Sequence, residues 1–351
     1  MTKIIVLGAG VMGSAFAQLL ADSGNEVCLV GTHLDRDIIT SILTDGTHPG
    51  LKVRLPENIR AFYVEDLKQV LDDRVRMIVF GVNSAGVNWA VKRIGPILKT
   101  SIPILMLTKG LAVERNTITI LPAIVAEGLA RYDLNGTPVG AVGGPCIAGE
   151  LAARRDTSVV IAHADGKLLE SILKLVDASY YHPRGSTDLI GVEVCAALKN
   201  FYTLAVGYAA GRLEQKGSAS NGALMHNLAA GLFTQALAEI HCFVEFFGGR
   251  PASVIGLAGA GDLYVTCQAG RNGRMGKLLG AGMRYRDAKT RHMPDDTIEG
   301  AELALCIGST LKQLIERDII DGNAIPLAMS IVRAICDNQP LDIIWSRFYR
   351  H

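Results

Sequence analysis

The chain has 351 residues, 35 Lys and Arg against 34 Asp and Glu, a formal charge of +1, and 49% hydrophobic residues. That balance argues against a nucleic-acid or membrane-surface partner, and the length suits two domains with large cores. Seven scattered cysteines, without Cys-x-x-Cys or metal-ligand spacing, fit reduced thiols and no metal.

Lys3 and the uncharged run from Ile4 to Ala17 look like a signal peptide. Gly8, Gly10 and Gly13 interrupt that run at phosphate-loop spacing, so no leader is expected. No later apolar run reads as a bilayer span. Lys3–Leu7 reads as a buried parallel strand. GAGVMG follows at once, then a helix over Ser14–Ser23 ending at Gly24, then a strand over Asn25–Gly31. This complete strand-loop-helix-strand unit predicts dinucleotide binding. Gly8 allows the tight turn, Gly10 lets a pyrophosphate approach the backbone, and Gly13 lets the helix pack close. The helix N-terminus faces the negative charge.

Further strands are expected within 75–83, 102–110, 138–145, 157–165 and 179–185. Ligands of such sheets bind beyond the carboxyl ends of the strands. Asn83, Ser84, Lys109, Gly144, Pro145 and Cys146 should therefore line one crevice. The end of the second strand holds Gly31-Thr32-His33, where a strict NAD site has an acid. Asp35 and Arg36 come just after, and Arg36 either faces a 2′-phosphate or solvates a loop with Asp37. The cofactor is read as NAD or NADP.

From Thr187 the pattern turns helical. Ser186 and Thr187 are N-cap candidates for a long apolar helix carrying Lys199 and Asn200. A lysine there either snorkels to a wet face or is buried with a partner. Ala223–Gly249 is a second apolar helix. The stretch LAGAGDLYVTCQAGRN, Leu257–Asn272, has one acid, Asp262, among close-packing glycines. Arg271-Asn272, between Gly270 and Gly273, reads as an anion clamp, with a surface ion pair as the plain alternative. Together these parts suggest hydride transfer to a small phosphorylated or carboxylated ketone. Lys199 would be the acid/base and Asp262 its partner.

The segments GAGVMGSAFA, LPENI, LTKGL, GGPCIAGELA, GVEVCAALKN, GLAGAGDLYVTCQAGRN and IEGAELA occur in this order. With them the chain resembles the NAD(P)-dependent glycerol-3-phosphate dehydrogenase family along nearly its whole length. The resemblance implies an α/β N-terminal Rossmann-type domain with a mostly parallel sheet over 1–187, then an all-α substrate and catalytic domain over 188–351. It implies Lys199, Asp262, Lys109 and Thr266 as catalytic. Gly8, Gly10, Val11, Met12, Gly13, Thr32, Lys109, Ala148, Arg271 and Glu299 fall at cofactor-binding positions. Lys109, Gly144, Cys146, Lys199, Asn200, Asp262, Gly270, Arg271 and Asn272 fall at substrate-binding positions. It further implies a cytoplasmic homodimer, without membrane insertion, that interconverts dihydroxyacetone phosphate and sn-glycerol 3-phosphate.

Three departures stand out. Asn227 is followed by Leu228-Ala229-Ala230, and Gln235 stands where an arginine is common. The chain carries inserted residues around Leu213–His226 relative to that family, with a polar run over Gly217–Gly222. Gly149 replaces a frequent lysine or serine. A relative acting on another polyol phosphate or small 2-hydroxy acid therefore stays open, as does a catalytically silent dinucleotide-binding regulator.

Overall fold

A computed structural model describes residues 1–217 and 219–348. The chain divides into two compact units, Met1–Lys109 with Ile120–Val192, and Gly110–Thr119 with the chain from Glu193 onward.

The first unit is built on one eight-stranded sheet. Its strands are β1 (Lys3–Leu7), β2 (Glu26–Val30), β3 (Ile59–Phe62), β4 (Val75–Phe80), β5 (Ile104–Met106), β6 (Val139–Gly143), β7 (Thr157–Ala162) and β8 (Tyr181–Ser186). The spatial order is β3-β2-β1-β4-β5-β6-β7-β8. β3 to β6 run parallel, β7 is antiparallel to β6, and β8 is parallel to β7. The order turns back between β1 and β4, the point where doubly wound sheets open a crevice.

β1 explains itself physically. Ile4, Ile5, Val6 and Leu7 are all fully buried, as expected of a parallel strand covered on both faces. Phe16, Leu19 and Leu20 of α1 (Val11–Asp22) join Ile4, Val6, Val27 and Leu29 in one core. α1 starts at Val11, before the expected Ser14, because Gly10 and Gly13 carry no side chain to stop the first turn from winding against β1. Next come α2 (Arg36–Asp45) and a short hairpin of Thr47–His48 and Val53–Arg54.

The second unit is helical. α3 (Leu189–Lys216) enters it at Glu193 and is followed by α4 (His226–Phe246), α5 (Asp262–Gln268), α6 (Arg271–Gly280), α7 (Glu299–Glu316) and α8 (Pro326–Cys336). One addition to the expected all-α domain is a hairpin of Leu111–Glu114 and Thr117–Ile120, turning at Arg115 and Asn116, both with positive φ. The Leu111 carbonyl accepts a weak bond from Cys306 Sγ of α7 at 3.9 Å. At the start of α3, Asp188 Oδ1 accepts from the Gly191 N–H at 3.0 Å. Ser186, expected as a cap, instead accepts from the Asp188 N–H. α3 is long and apolar enough to cross a membrane by length and composition, but 78% of its apolar window is buried inside the protein. That burial marks it as a core helix, which is why length and composition alone misjudge it.

α3 and α6 meet backbone to backbone. A Cβ added to Gly207 would lie 2.6 Å from the Gly273 carbonyl oxygen. Cβ atoms at Gly276 and Gly280 would collide with the carbonyls of Leu204 and Tyr208, and one at Gly211 with that of Lys277. The glycines of these two helices are thus the contact itself.

Candidate active site

In the first unit the glycine loop sits at the carboxyl end of β1. Gly8 has φ +113, and a Cβ there would lie 2.8 Å from the Gly81 carbonyl at the end of β4. A Cβ at Gly13 would collide with Gly8 O, so close packing of α1 on the loop needs both glycines. A Cβ at Gly10 would meet no protein atom within 4 Å. α1 begins there without a side-chain cap, at Val11, Met12 and Gly13. Open space above uncapped helix N–H groups is what a pyrophosphate needs, so the residues present fit a dinucleotide.

Ala9, between the first two glycines, is held from three directions. Its N–H donates to Asp35 Oδ2 at 3.1 Å. Its carbonyl accepts from Ser14 Oγ at 3.0 Å and lies 2.9 Å from His48 Nε2. His48 is fully buried and has no signal in the sequence, being a lone histidine between two loop segments.

Asp35 Oδ2 also accepts from Thr32 N at 2.7 Å. Arg36 pairs with Glu65 at 2.8 Å and lies over the Tyr63 ring at 5.0 Å. Of the two readings of Arg36, its contacts are those of the solvated loop. Lys109 and Gly144 follow β5 and β6, and Lys109 Nζ donates to Gly144 O at 3.4 Å. Asn83 caps the short turn opened by Ser84, accepting from the Gly86 N–H at 2.8 Å. Cys146 is partly buried against the sheet core, and Ala148 opens the helix Ala148–Ala152.

The second unit brings its expected residues together. Lys199, on α3, is 8% exposed, and its Nζ donates to Oδ1 of the fully buried Asp262. A five-residue π-turn, Leu257–Gly261, leads into Asp262. A Cβ at Gly259 would strike the Val254 backbone, so this turn depends on glycine. Thr266 Oγ1 donates to the Asp262 carbonyl at 2.6 Å, and Thr203 Oγ1 to the Lys199 carbonyl at 2.7 Å. Thr266 thus braces the acid's backbone. Burial pushes the nearby Cys267 thiol up to about 11, which keeps it protonated.

Asn272 joins the rest. Its Nδ2 lies 3.1 Å from Asn200 Oδ1 and 3.4 Å from Glu299 Oε2, and its Oδ1 accepts from the Gly300 N–H at 2.8 Å. Arg271 pairs with Glu299 at 2.5 Å, with both side chains near half-exposed. Gly270, with φ +114, turns the chain into α6 just before Arg271.

The chain is similar to known proteins over most of its length. Residues 3–169 match the family model described as NAD-dependent glycerol-3-phosphate dehydrogenase N-terminus, and residues 188–346 match its C-terminus. The chain is 34% identical to the NADP(+)-dependent glycerol-3-phosphate dehydrogenase of Archaeoglobus fulgidus, over 81% of this chain and 82% of the relative. The chain belongs to the NAD-dependent glycerol-3-phosphate dehydrogenase family. A glycerol-3-phosphate dehydrogenase [NAD(P)+] of Chlamydia muridarum is 32% identical over 97% of this chain and 94% of its own. The crystal structure of glycerol-3-phosphate dehydrogenase from Coxiella burnetii superposes with a TM-score of 0.79 at 27% identity, covering 97% and 96% of the two chains. Family membership makes the chain an NAD(P)-dependent oxidoreductase acting on a CH–OH group.

Proposed function

We propose that the chain interconverts dihydroxyacetone phosphate and sn-glycerol 3-phosphate, with Lys199 as the acid/base. The observation that carries this is the buried Lys199–Asp262 pair, set beside the Arg271–Asn272 clamp. When bound, the nicotinamide supplies or accepts the hydride at C2 of the substrate. Gly8, Gly10, Gly13 and the first N–H groups of α1 hold the pyrophosphate, with Val11, Met12, Thr32 and Ala148 completing the cofactor contacts. In reduction the Lys199 ammonium gives a proton to the forming alkoxide, and in oxidation neutral Lys199 takes the hydroxyl proton. Asp262 orients the amine, and Thr266 holds Asp262 in place. The Arg271 fork, with the N–H groups at the start of α6 behind Gly270, grips the phosphate. Asn200 and Asn272 orient the substrate, and Glu299 sets the Arg271 side chain. Family resemblance further assigns Lys109, Gly144 and Cys146 to the substrate.

Two of the departures from the family pattern have a clear structural setting. Gln235 is buried and donates to Glu239 Oε1 at 2.8 Å, so its exchange for an arginine is absorbed by the core of the second unit. Most of the polar run over 217–222 is exposed, and Ser218 lies outside the described residues. A cytoplasmic homodimer is the proposed assembly, tested by light scattering. The deciding experiment follows cofactor oxidation with NADH and NADPH against a panel of ketose phosphates and 2-keto acids. Highest kcat/KM on dihydroxyacetone phosphate is expected. Preference for another polyol phosphate or a keto acid would replace the substrate, and no turnover on any member would favour the silent regulator.

A further inference from the structure

We infer that His48 is a positioning residue of the dinucleotide site, fixing the Ala9 peptide and with it the path of the glycine loop. The inference rests on dinucleotide binding at Gly8–Gly13.

The hydrogen bonds set the imidazole tautomer. The Leu51 N–H can only donate, and it lies 3.0 Å from His48 Nδ1. Nδ1 is therefore the acceptor, and the ring proton sits on Nε2, which donates to the Ala9 carbonyl at 2.9 Å. Both ring nitrogens are thus used, one within the hairpin's own turn and one across 39 residues of chain. The ring is fully buried, so each bond acts without competition from solvent.

The place of this bond matters more than its strength. Ala9 separates Gly8, which turns the chain, from Gly10, which opens α1. Glycines on both sides leave the Ala9 peptide little intrinsic preference. Three side chains supply what the backbone lacks: Asp35 on its N–H, with Ser14 and His48 on its carbonyl. Ser14 is local, on the helix the loop leads into. His48 alone ties the carbonyl to the hairpin after α2, and Gly50 brings that hairpin close, since a Cβ there would lie 3.2 Å from the Val11 side chain. A pyrophosphate held by N–H groups in fixed directions loses affinity when their peptide planes wander, because ordering them then falls on the binding step.

Two polar substitutions separate this role from simple support of the hairpin. An asparagine amide reaches only as far as Nδ1, so His48→Asn keeps an acceptor for Leu51 and loses the Ala9 bond. A glutamine amide reaches as far as Nε2, so His48→Gln keeps the donor to Ala9 and loses the Leu51 acceptor. Fluorescence titration of the full chain with NADH and NADPH should show His48→Asn weakened about tenfold or more, the loss expected for one buried hydrogen bond. His48→Gln should stay within about threefold of the parent, and kcat at saturating cofactor should hold in both. Equal affinities for the two variants, or a weaker His48→Gln, would overturn the inference. If one variant does not fold, the other is read against the parent: His48→Gln weakened beyond about threefold, or His48→Asn within about threefold, overturns the inference. Failure of the parent to bind either nucleotide would instead overturn the dinucleotide reading beneath it.

Discussion

Lys199 and Asp262 lie 63 residues apart in the chain, yet the amine of one donates to the carboxylate of the other inside the second unit. Neither is exposed by a tenth of its surface. A buried pair of this kind is retained at a desolvation cost, which makes a purely supportive role an expensive explanation for it.

If Lys199 moves the proton, Lys199→Ala should lower kcat by about 10²–10⁴-fold or more. Dinucleotide affinity should barely change, because the glycine loop is untouched. Steady-state NADH oxidation with a parallel fluorescence titration reads both quantities. Near-normal turnover would end the assignment.

Gly10 and Gly13 should fail differently. Gly10→Val adds atoms to open space, so the circular dichroism spectrum and melting temperature should hold while cofactor binding is lost. Gly13→Ala drives a Cβ into Gly8 O, so its melting temperature should fall. Retained NAD(P)H binding in Gly10→Val would refute the loop's role.

Arg271→Lys keeps the charge and gives up the two-pronged geometry. Its KM should rise much more for a phosphorylated ketone than for an uncharged analogue. An equal rise for both would reduce Arg271 to the ion pair it makes with Glu299.

Glu239 offers a pH test of stability. Its carboxylate accepts from Gln235, Tyr202 and the Leu327 and Ala328 N–H groups at the start of α8. Burial outweighs those bonds and pushes its carboxyl up to about 7 from an ordinary 4.5. A raised carboxyl binds its proton more tightly in the folded chain, so its contribution to stability falls as pH rises between those values and is level above them. The melting temperature of Glu239→Gln, measured relative to the parent, should therefore drift upward from pH 5 to pH 8. A constant difference would show that the carboxyl does not titrate in that window.

Much of this was legible before any coordinates. β1, the glycine loop and β2 announce themselves because buried parallel strands are continuous apolar runs and phosphate loops have fixed glycine spacing. Lys199, Asp262 and Arg271 stand out because charged residues are conspicuous in an apolar chain, and Asn272 because it follows Arg271 among glycines. His48 was not, since its role depends on a hairpin folding back over the loop, which no local spacing encodes. The Leu111–Ile120 hairpin was missed for a related reason: TKGLAVERNTITI continues an apolar strand pattern and carries no Asn-Gly or Asp-Gly pair to mark its turn. Arg36 has two readings from sequence, and its partners Glu65 and Tyr63 lie too far along the chain for local spacing to give.

The contact of α3 with α6 has a consequence for how these helices can change. Where side chains interdigitate, a lost methyl can be answered by a neighbour growing into the gap. Here main chain lies on main chain, so there is nothing to trade. Gly276→Ala should destabilise the protein by about 1–3 kcal/mol in chemical denaturation, and no second substitution on α3 should restore it, since the obstruction is the Leu204 carbonyl itself. The crossing therefore behaves as a mechanical index with one setting. Sliding either helix by a single residue would put a Cβ into a carbonyl, so the spacing between Lys199 on one rod and Arg271 on the other is gauged by the backbone before any substrate arrives.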